Sequence, residues 1–254
     1  MKMNHLAFIM LISGISGNSL QGIEFTSRAS TGVIISVEQG FDFSGGFTTC
    51  LRAMFTFIDW TSLFDSPESV EFELDHYWRE TGIVKVFNIS YHFQWPTQQV
   101  TLEPYHWYTF CIVYDVSINL ISLSLNGNII FSEIGRQNPR DLKVPISSFM
   151  LGGNTSKPFI GKITDFNVWN VPLSESLIRD FSACKIAKDI KIPFRWSMAN
   201  LNLTGIDIYG IEVSLEELCS DSHDNKAILF TTPMSFNDAN TVRRLLLTFK
   251  FSTT

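Results

Sequence analysis

The stretch "HWYTFCIVYD", residues 106–115, places a cysteine in the middle of a segment whose pattern predicts a buried β-strand. Short apolar runs rich in aromatic and β-branched residues are typical of strands inside a sandwich or barrel. Cys111 has four roles open to it: a small core residue, a metal ligand, a nucleophile, or one half of a disulfide. The cellular compartment bears on this choice, because structural disulfides persist in oxidising surroundings.

The first residues of the chain predict export. Lys2 supplies a positive charge, an apolar run extends from Leu6 to Ile15, and small residues follow it. These are the three parts of a secretory signal, so we expect residues 1–19 to be a signal peptide and the mature protein to be extracellular. A membrane-spanning helix needs ~20 apolar residues, a length that no stretch of the chain reaches. The sequence therefore predicts a secreted protein without a membrane span.

Export makes two disulfides the simplest state of the four cysteines. These are Cys50, Cys111, Cys184 and Cys219, and four cysteines permit three pairings. No C-x-x-C motif occurs, which removes the common signature of zinc and redox sites. An unpaired core cysteine remains the alternative for each of them.

Composition limits the class of partner. The chain is 45% hydrophobic and only 17% charged, so it can form a packed core. Its net charge of -6 and the absence of any Lys/Arg cluster exclude the basic footprint of a nucleic-acid-binding protein. The chain also contains glycosylation sequons at Asn88, Asn154 and Asn202. Their number is about what chance gives in a chain of this composition, so we draw nothing further from them.

The arrangement of apolar runs predicts an all-β fold. From residue 23 to about residue 170 short apolar segments alternate with Gly, Asn, Asp and Pro, which is typical of an antiparallel sandwich or barrel. The Asn126-Gly127 pair predicts a two-residue hairpin turn. One short helix is predicted in "PLSESLIRDFSAC", where Ser174 can cap it. We expect the main domain to end near residue 204 and residues 205–254 to form an irregular extension.

Three segments together resemble the pentraxin and laminin G-like superfamily. They are "GGFTTCLRAMF", "HWYTFCIVYDVSINLISLSLNG" and "FMLGGNTSKPFIGKITDFNVWNVPLSESLI", in that order. The last contains a G-x-I-x-D-x-N-x-W run formed by Gly161, Ile163, Asp165, Asn167 and Trp169. The resemblance covers roughly residues 23–200. It implies a concanavalin A-like jelly roll, in which two antiparallel sheets pack face to face.

The resemblance also implies the disulfide pairing. Pentraxins join a cysteine in an FT-x-C setting to one in a C-x-x-W setting, and Cys50 and Cys111 occupy such settings, with Tyr114 where the Trp usually stands. A Cys50–Cys111 disulfide is therefore implied, and thereby a second one between Cys184 and Cys219 that ties the extension to the jelly roll. Residues of the extension are similar to the start of a C-type-lectin-like unit, so we expect it to be the truncated start of a further extracellular module.

Pentraxins bind their ligands through two calcium ions, held by an Asp-Asn pair and a Glu-Gln-Asp run. At the second of these places the sequence has "NTSK", residues 154–157, and at the first it has Asp65 without a following Asn. We therefore expect the two-calcium site to be absent and no cofactor to be required. A single laminin G-like calcium site at Asp65 or Asp115 stays open, against the alternative that these are turn-forming residues.

The segment "EFELD" offers an enzymatic alternative. Glu71, Glu73 and Asp75 alternate, so on a strand they share one face. Glucanases of this architecture place two such carboxylates as nucleophile and general acid, although their motif orders the residues differently. The competing interpretation is a solvated strand face, with Val70, Phe72 and Leu74 packed inward.

The leading prediction is a secreted, non-catalytic recognition module that binds carbohydrate or an extracellular protein. Tyr77, Trp78 and Trp95 are candidates for ligand contact, because sugars stack on aromatic rings and this part of the chain is rich in them. One alternative is a glycoside hydrolase that uses Glu71 and Glu73. Another is a structural adhesion module of a larger receptor or matrix protein. No motif in the sequence indicates an oligomeric state.

Overall fold

A computed structural model describes residues 19–28, 32–41, 43–58, 60–66, 70–75, 81–86, 89–94, 102–136, 146–153, 156–185, 194–195 and 208–219. The strands described are β1 (Ser19–Phe25), β2 (Val33–Phe41), β3 (Gly46–Phe57), β4 (Trp60–Ser66), β5 (Val70–Asp75), β6 (Thr81–Val86), β7 (Ile89–Gln94), β8 (Trp107–Asp115), β9 (Leu120–Leu125), β10 (Asn128–Ile134), β11 (Ile146–Leu151), β12 (Ile160–Trp169), β13 (Phe194–Arg195) and β14 (Ile208–Ser214). The helices described are α1 (Glu175–Ser182) and α2 (Leu215–Cys219).

These strands form two antiparallel sheets. One has six strands in the order β2-β11-β4-β5-β6-β7. The other has eight, in the order β10-β9-β8-β3-β12-β1-β14, with β13 also paired to β12. The predicted all-β, two-sheet jelly roll is confirmed, and so is the predicted helix, which is α1. Helix α2 was not predicted, because its five residues carry too little periodicity to recognise.

The core lies between the two sheets and is built largely from phenylalanine rings. Phe72 on β5 and Phe110 on β8 join the sheets directly, with ring centroids 5.3 Å apart. Phe166 on β12 meets Phe149 on β11 in the same way, at 5.2 Å. Alternation along each strand directs these side chains inward, and the neighbouring residues therefore face outward. The outward face of each sheet is thus set by the same pattern that fills the core.

The opening stretch forms β8, a central strand of the eight-stranded sheet. Cys111 lies directly opposite Cys50 on β3, with Cα atoms 4.1 Å apart, and the two form a disulfide. A second disulfide joins Cys184 to Cys219. Both bonds match the pairing that the family resemblance implied. In the loop-entropy model the first one restricts the unfolded chain by about 4 kcal/mol.

Helix α1 covers part of the outward face of the eight-stranded sheet. It packs on the Cys50–Cys111 disulfide together with Trp169 and forms a second, smaller apolar cluster there. Ser174 caps it by accepting a hydrogen bond from the backbone N–H of Leu177, as predicted. The helix therefore encloses the disulfide between itself and the sheet.

The predicted hairpin turn between β9 and β10 is confirmed and also contacts α1. Asn126 and Gly127 both have positive φ, at 50° and 82°, the requirement of a type I′ turn. A Cβ atom at Gly127 would lie 3.1 Å from the Cα of Arg179 on the helix. Glycine is thus required here by backbone conformation and by the close approach of α1.

Arg52, on β3, forms hydrogen bonds at the C-terminal end of α1. Its Nε donates to Asp165 on β12 at 3.1 Å, and its Nη1 donates to Thr109 on β8 at 3.2 Å. Its Nη2 donates to the carbonyl of Phe181, in the last turn of the helix, at 2.6 Å. The Arg52 and Asp165 side chains are only 4% and 8% exposed. This one guanidinium therefore joins three strands and a helix.

The eight-stranded sheet extends beyond the expected limit at residue 204. Strand β14 lies in the segment expected to be irregular, yet it pairs with β1 along the whole of that strand, from Ser19 opposite Ser214 to Phe25 opposite Ile208. Its pairing partner is almost two hundred residues away, which local sequence patterns do not reveal. Residues 1–18 of the expected signal peptide and residues 220–254 of the expected extension lie outside the described residues.

We expect Arg52→Ala to lower the free energy of unfolding by about 3–5 kcal/mol, because it removes the guanidinium charge that compensates the buried Asp165 carboxylate. Urea unfolding followed by circular dichroism measures this loss. Arg179→Ala is the matched control, since Arg179 forms an exposed pair with Glu175 on α1 that is worth about 0.5 kcal/mol. Equal losses in the two variants would contradict the role assigned to Arg52.

Candidate functional site

The outward face of the six-stranded sheet carries three acidic side chains side by side. Asp65 on β4 lies opposite Glu71 on β5, and Glu71 lies opposite Lys85 on β6. Glu73 occupies the next outward position of β5 and lies opposite Ser62. We call Asp65, Glu71 and Glu73 the carboxylate cluster. They share a face because outward residues alternate along β5, as the "EFELD" pattern predicts.

A lysine from a different part of the chain completes the cluster. The backbone N–H of Ser62 donates to the carbonyl of Lys157 at 3.2 Å, which holds the segment before β12 beside β4. The Lys157 ammonium forms an ion pair and hydrogen bond with Glu73 and lies 3.9 Å from Glu71. Lys85 approaches Glu71 from the other side, at 3.6 Å. Two ammonium groups therefore face three carboxyl groups.

The cluster is less exposed than a solvated strand face would be. Glu73 is only 4% exposed, and the side chain of Glu71 is 17% exposed. The expectation of a solvated face is therefore wrong, because Lys157 lies against these carboxylates. The inward half of that expectation is confirmed, since Val70, Phe72 and Leu74 are buried in the core.

Burial and mutual repulsion alter the acidity of the cluster. Burial, a hydrogen bond with Glu73 and the negative charges of Glu73 and Asp65 raise the pKa of Glu71 to about 7, while Lys157 opposes the shift. Burial also raises the pKa of Asp65 above its usual value. Near neutral pH the Glu71–Glu73 pair consequently holds a proton for part of the time. It can then both donate and accept hydrogen bonds at the protein surface.

Asp115 has a structural role in the turn that follows β8. Its Oδ1 accepts hydrogen bonds from the backbone N–H and the hydroxyl of Ser117, at 2.9 Å and 2.6 Å. This arrangement is an Asx turn, the turn-forming alternative considered for this residue. Asp65 instead lies within a strand, so a turn does not explain it. Within the described part of the chain no three His, Cys, Asp or Glu side chains converge to hold a metal ion, and the absence of a cofactor requirement stays a prediction.

The predicted aromatic contacts and sequons cannot be placed. Tyr77, Trp78, Trp95, Asn88, Asn154 and Asn202 lie outside the described residues. Asp75 and Gln94 precede these aromatics in the chain, and both lie opposite Thr81 at one end of the six-stranded sheet.

Sequence reasoning missed Lys85 and Lys157. The alternation in "TGIVKV" could have indicated an outward Lys85, but nothing in the sequence indicates that Lys157 reaches β5.

Comparison with known proteins relates the fold to solved structures. No protein-family model and no curated protein matches the chain. A native heptameric SAP-like pentraxin from Limulus polyphemus is similar to it in structure, with a TM-score of 0.60 and 13% identity over 78% of this chain and 97% of the pentraxin. At such identity the likeness shows the fold alone, which is the predicted two-sheet, concanavalin A-like jelly roll.

Two further structures share this fold. One is a Bacteroides ovatus protein described as a candidate carbohydrate-binding protein, with a TM-score of 0.54 and 12% identity over 78% of this chain and 61% of that protein. The other is the full extracellular region of zebrafish Gpr126/Adgrg6, with a TM-score of 0.53 and 14% identity over 74% of this chain and 26% of that region. Among the described residues, no helix has the length and hydrophobicity needed to cross a bilayer.

The raised pKa of Glu71 predicts how stability depends on pH. The unfolded chain loses this proton near pH 4.5 and the folded chain near pH 7, so the free energy of unfolding should fall between these values. The loss should reach at most about 3 kcal/mol and stay constant at higher pH. Thermal unfolding of the wild type and Glu71→Gln from pH 4 to pH 8 measures it, and the variant should gain relative stability as the pH rises. Glu175→Gln, on the exposed face of α1, is the control and should give no such gain.

Proposed function

We propose that the chain is an extracellular recognition module that binds carbohydrate on the outward face of the six-stranded sheet. The observation that carries this proposal is the carboxylate cluster, in which Lys85 and Lys157 hold the partly exposed Glu71 and the buried Glu73 in place. The two disulfides support an extracellular location, because such bonds are rare in reducing compartments. The shared fold of a candidate carbohydrate-binding protein agrees with the ligand class.

The chemistry of the cluster suits sugar hydroxyl groups. Each hydroxyl can donate one hydrogen bond and accept others, and the cluster presents carboxylate acceptors beside ammonium donors. The side chains are already ordered by their ion pairs, so a ligand has little side-chain entropy left to restrict. Opposite charges also nearly balance, which favours a neutral polar ligand over a strongly charged one.

The same geometry argues against glycoside hydrolysis. Retaining glycosidases hold their two carboxyl groups about 5–5.5 Å apart, and inverting enzymes hold them further apart. Glu71 and Glu73 are instead hydrogen-bonded to each other, and Lys157 is paired with Glu73. A raised pKa alone does not make Glu71 a general acid.

A glycan array, probed with the wild type in calcium and in chelator, tests the proposal. We expect binding to at least one class of neutral glycan, with no dependence on calcium. Glu71→Gln and Lys85→Met should each weaken glycan binding about tenfold or more, since each removes a charge-assisted hydrogen bond to the glycan. Surface plasmon resonance with the best glycan measures the change.

The matched controls change the same residue types at a distance from the cluster. Glu175→Gln and Arg179→Met remove the exposed ion pair of α1 and should leave glycan affinity unchanged. A blank array would contradict the proposal, as would equal losses in the controls. A β-glucan hydrolysis assay separates the enzymatic alternative, because wild-type turnover that disappears in Glu71→Gln and Glu73→Gln would establish it instead.

A further inference from the structure

A second surface of the molecule collects exposed aromatic rings. Among the described residues, the exposed aromatic side chains are Phe57, Tyr105 and Tyr209, which are 44%, 60% and 54% exposed. Most other described rings lie in the core, so exposure is unusual for this residue type here. All three occur at the same end of the eight-stranded sheet, as the strand register shows. Clustered exposed apolar groups are characteristic of binding surfaces.

The register places Tyr209 on the outward face. Tyr209 on β14 lies opposite Glu24 on β1, and Glu24 lies opposite Lys162 on β12. The same row continues to Met54 on β3, which is only 8% exposed, and to Trp107 on β8, whose indole N–H donates to Glu217 of α2 at 2.9 Å. Adjacent strands are about 4.8 Å apart, so the open part of the row, from Tyr209 to Lys162, extends about 10 Å. In this open part Tyr209 is followed by one acidic and one basic side chain, Glu24 and Lys162.

A β-bulge turns Phe57 toward the same face. In a regular strand Phe57 would share the inward direction of Phe55, which is fully buried. The register shifts at this point, so that Phe55 pairs with Gly161 while Phe57 pairs with Ile160. Ile160 alternates with the outward Lys162, and Phe57 therefore faces outward too. The bulge removes from the core a ring that simple alternation would bury.

Neighbouring groups hold these rings in position. The guanidinium carbon of Arg28 lies 5.2 Å from the centroid of the Phe57 ring, a cation–π contact. Tyr105 has φ of 65°, a conformation that tyrosine rarely adopts, and its backbone N–H donates to the carbonyl of Phe55 at 2.7 Å. The Tyr105 backbone is thereby fixed beside the end of β3. We call Phe57, Tyr105 and Tyr209 the aromatic rim.

We propose that the aromatic rim is a second binding surface, which takes a neutral polysaccharide. The exposed rings offer apolar faces to the C–H faces of sugar rings, and Glu24 and Lys162 lie between them to hydrogen-bond the hydroxyls. The rim spans four adjacent strands, from Tyr209 on β14 to Phe57 on β3, which is about 14 Å. The surface is independent of the carboxylate cluster, which lies on the outward face of the other sheet.

Charge favours this ligand over the alternatives. At this end of the sheet the charges are mixed: Arg28 and Lys162 face Glu24 and Glu103, and Glu217 lies nearby in its hydrogen bond to Trp107. The surface thus has no strong potential of either sign to attract an anionic polymer or a lipid surface. Two glycan surfaces on opposite faces would also let one molecule bridge two polysaccharide chains, which raises the avidity of binding to a particle.

Retention of the full chain on suspended particles of β-1,3-glucan, cellulose and mannan tests the proposal. We expect the wild type to be retained on at least one of them. The double variant Phe57→Ser/Tyr209→Ser should be retained about tenfold more weakly or less, since it removes two stacking rings. Thermal unfolding should show that the variant is folded, because both side chains are exposed.

Ile118→Ser/Ile134→Ser is the matched control, because these isoleucines are 63% and 69% exposed away from the rim. It should keep full retention. Glu71→Gln should still be retained through the aromatic rim, because the rim lies on the other sheet. The proposal is overturned if no particle retains the wild type, if the rim variant binds normally, or if the isoleucine control loses as much. Loss in Glu71→Gln alone would overturn the rim while leaving the carboxylate-cluster site intact. A rim variant that loses only binding to an extracellular protein would also overturn it.

Discussion

The Arg52–Asp165 ion pair joins neighbouring strands of the eight-stranded sheet to the end of helix α1. The pair is nearly inaccessible to solvent, and the remaining N–H groups of Arg52 reach Thr109 and the last carbonyls of α1. A buried charge is tolerated only when its hydrogen bonds are satisfied, so β8, β12 and α1 must all take their observed positions together. The eight-stranded sheet, its disulfide and its covering helix therefore form one interdependent unit.

The outward faces of the two sheets differ in what covers them. Helix α1 covers part of the eight-stranded sheet and leaves its far end to Phe57, Tyr105 and Tyr209. The six-stranded sheet instead carries a charged cluster that is half withdrawn from water by its own ion pairs. In both places a feature of the backbone decides the chemistry. A β-bulge exposes an aromatic ring on one face, and a segment hydrogen-bonded to β4 delivers a lysine to the other.

What the sequence predicts well is local, or is carried by a family pattern. The strands, the Asn126-Gly127 turn and the capped helix α1 follow from short-range periodicity and turn chemistry. The cysteine pairs follow from the resemblance, and the inward side of "EFELD" from alternation. Strand β14, the position of Lys157 and the outward turn of Phe57 depend on pairing between distant segments or on an irregular register. No local pattern encodes such relations, which is why the carboxylate cluster was expected to be solvated and is not.

The Cys184–Cys219 bond has a mechanical consequence. It joins two residues 35 positions apart, one just after α1 and one at the end of α2. A pulling force applied to the chain after Cys219 would pass through the sulfur atoms to Cys184 and the end of α1. The tension would bypass β14, so this strand could not be peeled from β1 until the bond was reduced. The load would instead reach the end of α1 that is hydrogen-bonded to Arg52. Whether the Cys184–Cys219 pair is oxidised or reduced would therefore decide which part of the sheet bears the force.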